Sequence, residues 1–228
     1  MANTRERKVP ALVDKPMDFC PGCGHGIVSR LIMECLEELE QLDNIIFPIG
    51  VGCSSNLGAG LECDRLHCCH GRAGAVATGM KRVNPDTLIV SYQGDGDAYN
   101  IGIAETFNAA YRGENITVIV INNTNFGMTG GQMSLTTMEG QKTATSVYGR
   151  DCSVTGYPIR FPEMVAREFP TTPSTHGGDT ILTVSAVFLN PSYSVPPFTE
   201  ISCVLESPSP LMRTSPPLST ATAGLATP

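Results

Sequence analysis

The chain has 228 residues, a formal net charge of -7 at pH 7, 41% hydrophobic residues and 16% charged ones. This apolar content is enough for a packed core, and the acidic balance, with no basic stripe, excludes a nucleic-acid-binding surface as the main role. The first residues, "MANTRERKVPALVDKPMDF", are charged and lack an apolar core of signal-peptide length, and no apolar run is long enough to cross a bilayer. A cytoplasmic protein without a membrane span is expected, in which cysteines serve as metal ligands, redox groups or small core residues rather than disulfides.

In chain order, "HGIVSRLIMECLEELEQL" sets Val28, Leu31, Ile32, Cys35, Leu36, Leu39 and Leu42 at helical spacing, opposite Arg30, Glu34, Glu37, Glu38 and Glu40. It predicts an amphipathic helix with Cys35 in its core face. "NIIFPIGVGC" reads as a buried strand ending in glycines, "HGRAGAVATGMKRV" as a helix of small residues, and "DTLIVSYQ" as a second strand. "NIGIAETFNAAYRG" follows as a helix closed by Gly113, and "NITVIVINN" as a third strand. Apolar strands alternating with helices predict an α/β fold, a doubly wound and mainly parallel sheet covered on both faces. Beyond Arg167, Pro, Ser and Thr dominate with short apolar patches such as "ILTVSAVFL". The expected division is an arm over residues 1–17, a domain over 18–167 and an irregular tail over 168–228: a linker, an arm that packs on a partner, or an end read in a shifted frame.

"SYQGDGDAYN" ends the second strand on an acid between glycines, and "NN" ends the third one crossover later. Ligands of such sheets bind beyond the carboxyl ends of the strands. If the two strands are neighbours, Asp95 and Asn123 face one crevice, and a carboxylate with an amide oxygen suits magnesium carrying a diphosphate. Either half alone is more often a plain turn; together, on the right elements, they favour the site. Cys20 and Cys23 form a C-x-x-C in a Pro/Gly-rich loop, and Cys53 ends the first strand. Such thiols suit zinc, an iron–sulfur cluster or a thioredoxin-like pair. His70, at a helix start in the crevice, is expected to touch the ligand, His25 to do so or to cap the first helix, and His176 to be solvated. Cys63, Cys68 and Cys69 fall in no usable pattern.

The motifs "FCPGCGHG", "GVGCS", "HGRAGAVATGMKR", "YQGDGDAYNIG", "NNTNFGMTGGQMS" and "YGRD…TGYPIR", in this order, resemble the thiamine-diphosphate-binding beta subunits of 2-oxoacid:ferredoxin oxidoreductases. The resemblance implies a thiamine-diphosphate-binding fold of the pyrophosphate-binding kind. It implies Mg2+ held by Asp95, Asn123 and the Asn125 carbonyl. Gly96, Asp97, Gly127 and Met128 would wrap the diphosphate, and Gly52, Cys53, Ser54 and His70 would line the remaining cleft. It also implies a 4Fe-4S cluster on Cys20, Cys23, Cys53 and a cysteine near the C-terminus, for which Cys203 stands in the tail, with Cys152 or a neighbouring chain as the alternative. No side chain of this chain is implied as catalytic. The glutamate that activates the cofactor would come from an alpha subunit, together with gamma or delta subunits, and ferredoxin, coenzyme A and a 2-oxoacid would be the reaction partners. Where some relatives carry lysine after "GMT", this chain has Gly130, which favours a branched-chain or other monocarboxylic 2-oxoacid over 2-oxoglutarate. Competing readings are a non-oxidative thiamine-dependent decarboxylase or carboligase subunit, which needs no cluster, and a defective structural subunit.

Overall fold

The computed structural model describes residues 8–168 and 184–187. The ordered elements are α1 (Gly24–Glu38), β1 (Ile45–Ile49), a 3-10 helix (Cys53–Ala59), β2 (Asp64–His67), α2 (Ala73–Val83) and β3 (Leu88–Gly94). A π-helical turn (Gly96–Ile101), α3 (Ile103–Tyr111), β4 (Thr117–Asn122), the short strands β5 (Asn125–Phe126) and β6 (Gln132–Met133), α4 (Cys152–Thr155), α5 (Phe161–Glu168) and β7 (Val184–Val187) follow. β1, β2, β3, β4 and β7 form one parallel sheet in the order β2-β1-β3-β4-β7, while β5 and β6 pair antiparallel beside it. The doubly wound fold expected from the alternation is therefore the one observed.

Strand side chains alternate between two cores, as the two-residue repeat of a strand demands. Ile45, Phe47, Ile49, Val90, Tyr92, Ile119 and Ile121 join Met33 and Leu36 of α1 on one face. Ile89, Val118 and Val120 join Ala77 of α2, Ala109 of α3 and Phe161 of α5 on the other. Of the segment read as an arm, Leu12 is buried in the first of these cores, and Val13 forms a bridge with Leu61. Gly113 adopts φ 58° after α3, and its N–H donates to the Ala110 carbonyl at 3.0 Å, closing that helix as expected.

Helix α1 turns a different face inward from the one its leucines suggest. Its buried stripe runs through His25, Val28, Ser29, Met33 and Leu36. Leu31 and Leu39 are 52% and 60% exposed, and Cys35 is exposed as well, which corrects its placement in the core. The cause is polar: His25 Nδ1 and Ser29 Oγ lie 2.8 and 3.4 Å from the Tyr92 hydroxyl on β3, and these buried bonds fix the rotation of the helix about its axis. In "ILTVSAVFL" the structure places β7, while Cys203 and His176 lie outside the described residues.

Candidate functional site

Chain order reverses between β1 and β3: β2 lies on one side of β1, and β3, β4 and β7 lie on the other. That switch point leaves a crevice at the carboxyl ends of β1 and β3, the place where open parallel sheets take ligands. Gly50, Val51 and Gly52 leave β1 there, Asp95, Gly96 and Asp97 leave β3, and Asn123 to Gly127 leave β4.

The Asp97 carboxylate, 2% exposed, ties these tips together. Its Oδ1 accepts from the Val51 and Gly71 N–H groups at 3.2 and 2.8 Å and lies 2.5 Å from His70 Nδ1, while Oδ2 accepts from Gln93 Nε2 at 2.5 Å. The loop after β1, the loop before α2, and β3 thus meet on one side chain. His70 is held in place by this contact, with its ring edge-on to Phe126. Two glycines permit the approach, since a Cβ on Gly50 would sit 2.0 Å from Asp97 Oδ2 and one on Gly96 2.5 Å from the Phe126 ring.

Asp95 is 1% exposed and ends β3 beside Asn123 at the end of β4, because the two strands are paired neighbours. Its Oδ2 accepts from Ser134 Oγ at 2.8 Å and from Thr136 Oγ1. Burial pushes the Asp95 carboxyl up, partly offset by the Thr136 and Ser134 hydroxyls and by the Asn123 and Asp95 backbone N–H groups. The amide oxygen of Asn123 lies 2.9 Å from Asp95 Oδ1 and 2.7 Å from the Asn125 carbonyl, and accepts the Asn125 N–H at 3.3 Å. Alone, the amide would turn over and donate its NH2 to both. Three converging oxygens are instead what a divalent cation requires: with Mg–O bonds of about 2.0–2.1 Å, neighbouring ligands of an octahedron stand about 2.8–3.0 Å apart. The donor set therefore fits magnesium.

The turn that aims these groups is strained. Thr124, between Asn123 and Asn125, has φ 63°, a left-handed conformation that β-branched residues rarely adopt. Asn122 Oδ1 accepts its N–H at 3.0 Å, Gln141 Nε2 donates to its Oγ1 at 2.7 Å, and Thr137 Oγ1 donates to its carbonyl at 2.5 Å. A Cβ on Gly127 would stand 2.9 Å from Asn123 Nδ2 and 3.8 Å from Cys53 Sγ, so the glycine leaves open space beside the oxygen cluster, as an anion cradle needs. Ser54 is 1% exposed, and its hydroxyl donates to the Gly50 carbonyl at 3.3 Å. Gly52 has φ 116°, and Met128 is 52% exposed at the rim.

Cys20, Cys23 and Cys53 come from distant segments into electrostatic reach of one another. Burial raises the Cys53 thiol first, then the Cys23 and Cys20 thiols raise it further. Among the described residues no three His, Cys, Asp or Glu close to the geometry of a single metal ion. His25 makes no cap bond to α1: it stacks on Phe19, bonds to Tyr92, and is lowered to about 4 by burial. Ser134 and Arg150 lie inside quoted motifs without being singled out, Thr136 and Gln141 lie outside them, and their burial is what reveals all four.

An open parallel α/β sheet with a cation-ready oxygen cluster and a glycine cradle at its switch point defines a diphosphate-binding domain. Residues 50–169, more than half of the chain, match the family described as thiamine pyrophosphate enzyme, C-terminal TPP binding domain, and the chain belongs to that family. It is 44% identical over 147 residues to the ketoisovalerate oxidoreductase subunit VorA of Methanothermobacter thermautotrophicus, covering 64% of this chain and 31% of that protein. It is 45% identical over 135 residues to the 2-oxoglutarate synthase subunit KorB of Methanocaldococcus jannaschii, covering 59% and 50%. The solved 2-oxoglutarate:ferredoxin oxidoreductase of Magnetococcus marinus, with 2-oxoglutarate, coenzyme A and succinyl-CoA bound, superposes with a TM-score of 0.59 at 33% identity, covering 64% of this chain and 52% of that one. The chain thus spans a third to a half of the curated relatives it matches. Among the described residues no helix is long and apolar enough to cross a membrane.

Proposed function

We propose that the chain is the cofactor-binding part of a beta subunit of a cytoplasmic 2-oxoacid:ferredoxin oxidoreductase, converting a 2-oxoacid to its acyl-coenzyme A and passing electrons to ferredoxin. The observation that carries the reading is the oxygen cluster of Asp95, Asn123 and the Asn125 carbonyl beside the glycine cradle, within a chain several of whose relatives bear oxidoreductase names. In this reading residues 18–167 form the cofactor domain, between an arm over 1–17 and a tail over 168–228.

Thiamine diphosphate, when bound, supplies the electron sink on which a 2-oxoacid loses its carboxylate. Asp95, Asn123 and the Asn125 carbonyl would hold Mg2+, which would supply the positive charge that binds the diphosphate. The backbone at Gly96, Asp97, Gly127 and Met128 wraps the phosphates, while the Asp97 carboxylate acts from behind by fixing the loops that carry Val51, His70 and Gly71. Gly52, Cys53, Ser54 and His70 line the remaining cleft. Cys20, Cys23 and Cys53 would hold a 4Fe-4S cluster, with Cys203 as fourth ligand, and such a cluster would supply one-electron transfer. An alpha subunit covers the open side of the site and supplies the activating glutamate, with gamma or delta subunits in the assembly. Gly130 has φ 105°, a conformation unsuited to a lysine, so this loop offers no cation to a second substrate carboxylate, which favours branched-chain monocarboxylic acids.

The test is reduction of a viologen dye by the anaerobically isolated complex of this chain with its native partners, across a panel of 2-oxoacids. Reduction that needs thiamine diphosphate, magnesium and a 2-oxoacid is expected, fastest with a branched-chain acid. Absence of reduction with every acid in an iron-containing, cofactor-loaded complex would overturn the reading.

A further inference from the structure

A carboxylate offers about four lone-pair directions, two on each oxygen. At Asp95, Oδ2 faces two hydroxyls, Ser134 Oγ at 2.8 Å and Thr136 Oγ1 closer still. The two hydroxyl oxygens are themselves 2.6 Å apart. Each hydroxyl donates its single proton to Oδ2, which fills both lone-pair directions of that oxygen, so a cation gripping Asp95 through both oxygens would have to break one of these bonds. Oδ1 alone is left to the oxygen cluster, 2.9 Å from the Asn123 amide oxygen.

The hydroxyls cannot easily withdraw. Arg150, 3% exposed, donates from one guanidinium nitrogen to the carbonyls of Ser134 at 3.4 Å, Leu135 at 3.0 Å and Thr137. Its other nitrogens donate to the Gly156 carbonyl at 3.1 and 2.8 Å. The Leu135 N–H donates to Asn100 Oδ1 at 2.5 Å. The loop that presents both hydroxyls is thus nailed down along its backbone.

Cations differ in what they ask of such a site. Mg2+ takes one oxygen from each carboxylate at about 2.1 Å, whereas Ca2+ takes ligands at about 2.3–2.6 Å and commonly grips a carboxylate through both oxygens. We propose that Ser134 and Thr136 are positioning residues that set the cation specificity of the site, holding Asp95 to one oxygen and so selecting Mg2+ or Mn2+ over Ca2+. This rests on the cofactor reading above.

The experiment measures calorimetric binding of thiamine diphosphate to the full chain in MgCl2 and in CaCl2, for the wild type and for the S134A/T136V double variant. The wild type should bind the cofactor more tightly with Mg2+. The double variant, with Oδ2 released, should lose that preference by roughly tenfold, the worth of one charge-assisted hydrogen bond. Thr136→Ser, which keeps the hydroxyl, should retain the wild-type ratio. Should the double variant fail to fold, the single variants Ser134→Ala and Thr136→Val report the same ratio. Equal binding with both cations in the wild type, or an unchanged ratio in the hydroxyl-free variants, overturns the proposal while leaving the cofactor site standing. No binding to the wild type with either cation overturns the cofactor reading itself.

Discussion

Replacing Asp97 by Asn keeps the shape of the side chain and removes its charge, which isolates the knot at the strand tips. The carboxylate receives bonds from Val51, His70, Gly71 and Gln93 in a site it fills almost without exposure. Bonds to a charged acceptor contribute about 1.5–3 kcal/mol and bonds to a neutral one about 0.5–1.5, so four bonds lose roughly 4 kcal/mol. Relief of burying a charge returns part of this, which leaves a net loss of about 2–4 kcal/mol. The new amide NH2 gains no easy partner: in the Oδ2 position it faces Gln93 Nε2, and Gln93 Oε1 already accepts from Ser91 Oγ at 2.9 Å. For a chain of this size each kcal/mol moves Tm by roughly 2–4 °C, so Asp97→Asn should unfold about 5–15 °C below the wild type. Thermal unfolding followed by circular dichroism measures it, with cofactor affinity falling in parallel because the Val51 and Gly71 loops loosen together. A variant with wild-type Tm and cofactor affinity would refute the knot.

Gly127→Ala places a Cβ 2.9 Å from Asn123 Nδ2 and should turn that amide, lowering thiamine diphosphate affinity about 10–100-fold with little change in Tm; equilibrium titration checks it. Burial raises the Asp95 carboxyl, so in the cofactor-free protein this group contributes stability below the ordinary carboxylate value of about 3.9, and loses it as pH rises through the raised folded pKa. Cation binding relieves the ionised form, so the rise in Tm given by magnesium plus cofactor should grow with pH across that window; a rise independent of pH would contradict it. Cys20→Ser should lose iron and the visible absorbance of the anaerobic protein, whereas unchanged iron content would make the C-x-x-C structural.

The strands at β1, β3 and β4 were legible because both faces of the sheet are buried, which writes each as a continuous apolar run ended by glycine or asparagine. Asp95 and Asn123 could be paired on paper because a single crossover separates them. β2 left no such trace: all four residues of "DRLH" are exposed on a strand that, among the described residues, pairs only with β1. The inward face of α1 was misread because two polar residues, His25 and Ser29, displace leucines from it through their bonds to Tyr92. The roles of Ser134, Thr136 and Arg150 are hidden for a related reason, although Ser134 and Arg150 lie within quoted motifs: buried polar groups in loops follow no periodicity, and their importance comes only from what the fold brings against them.

The most direct test of the cation and diphosphate site is thiamine diphosphate binding to the full chain, wild type against Asp95→Ala, with and without magnesium. Outer ligands that merely orient a metal site are worth about 10–100-fold, so losing a direct ligand should weaken magnesium-dependent binding at least about 100-fold while the fold survives. Binding by Asp95→Ala as tight as wild type, with the same dependence on magnesium, would contradict the assignment of the strand tips as the cofactor site.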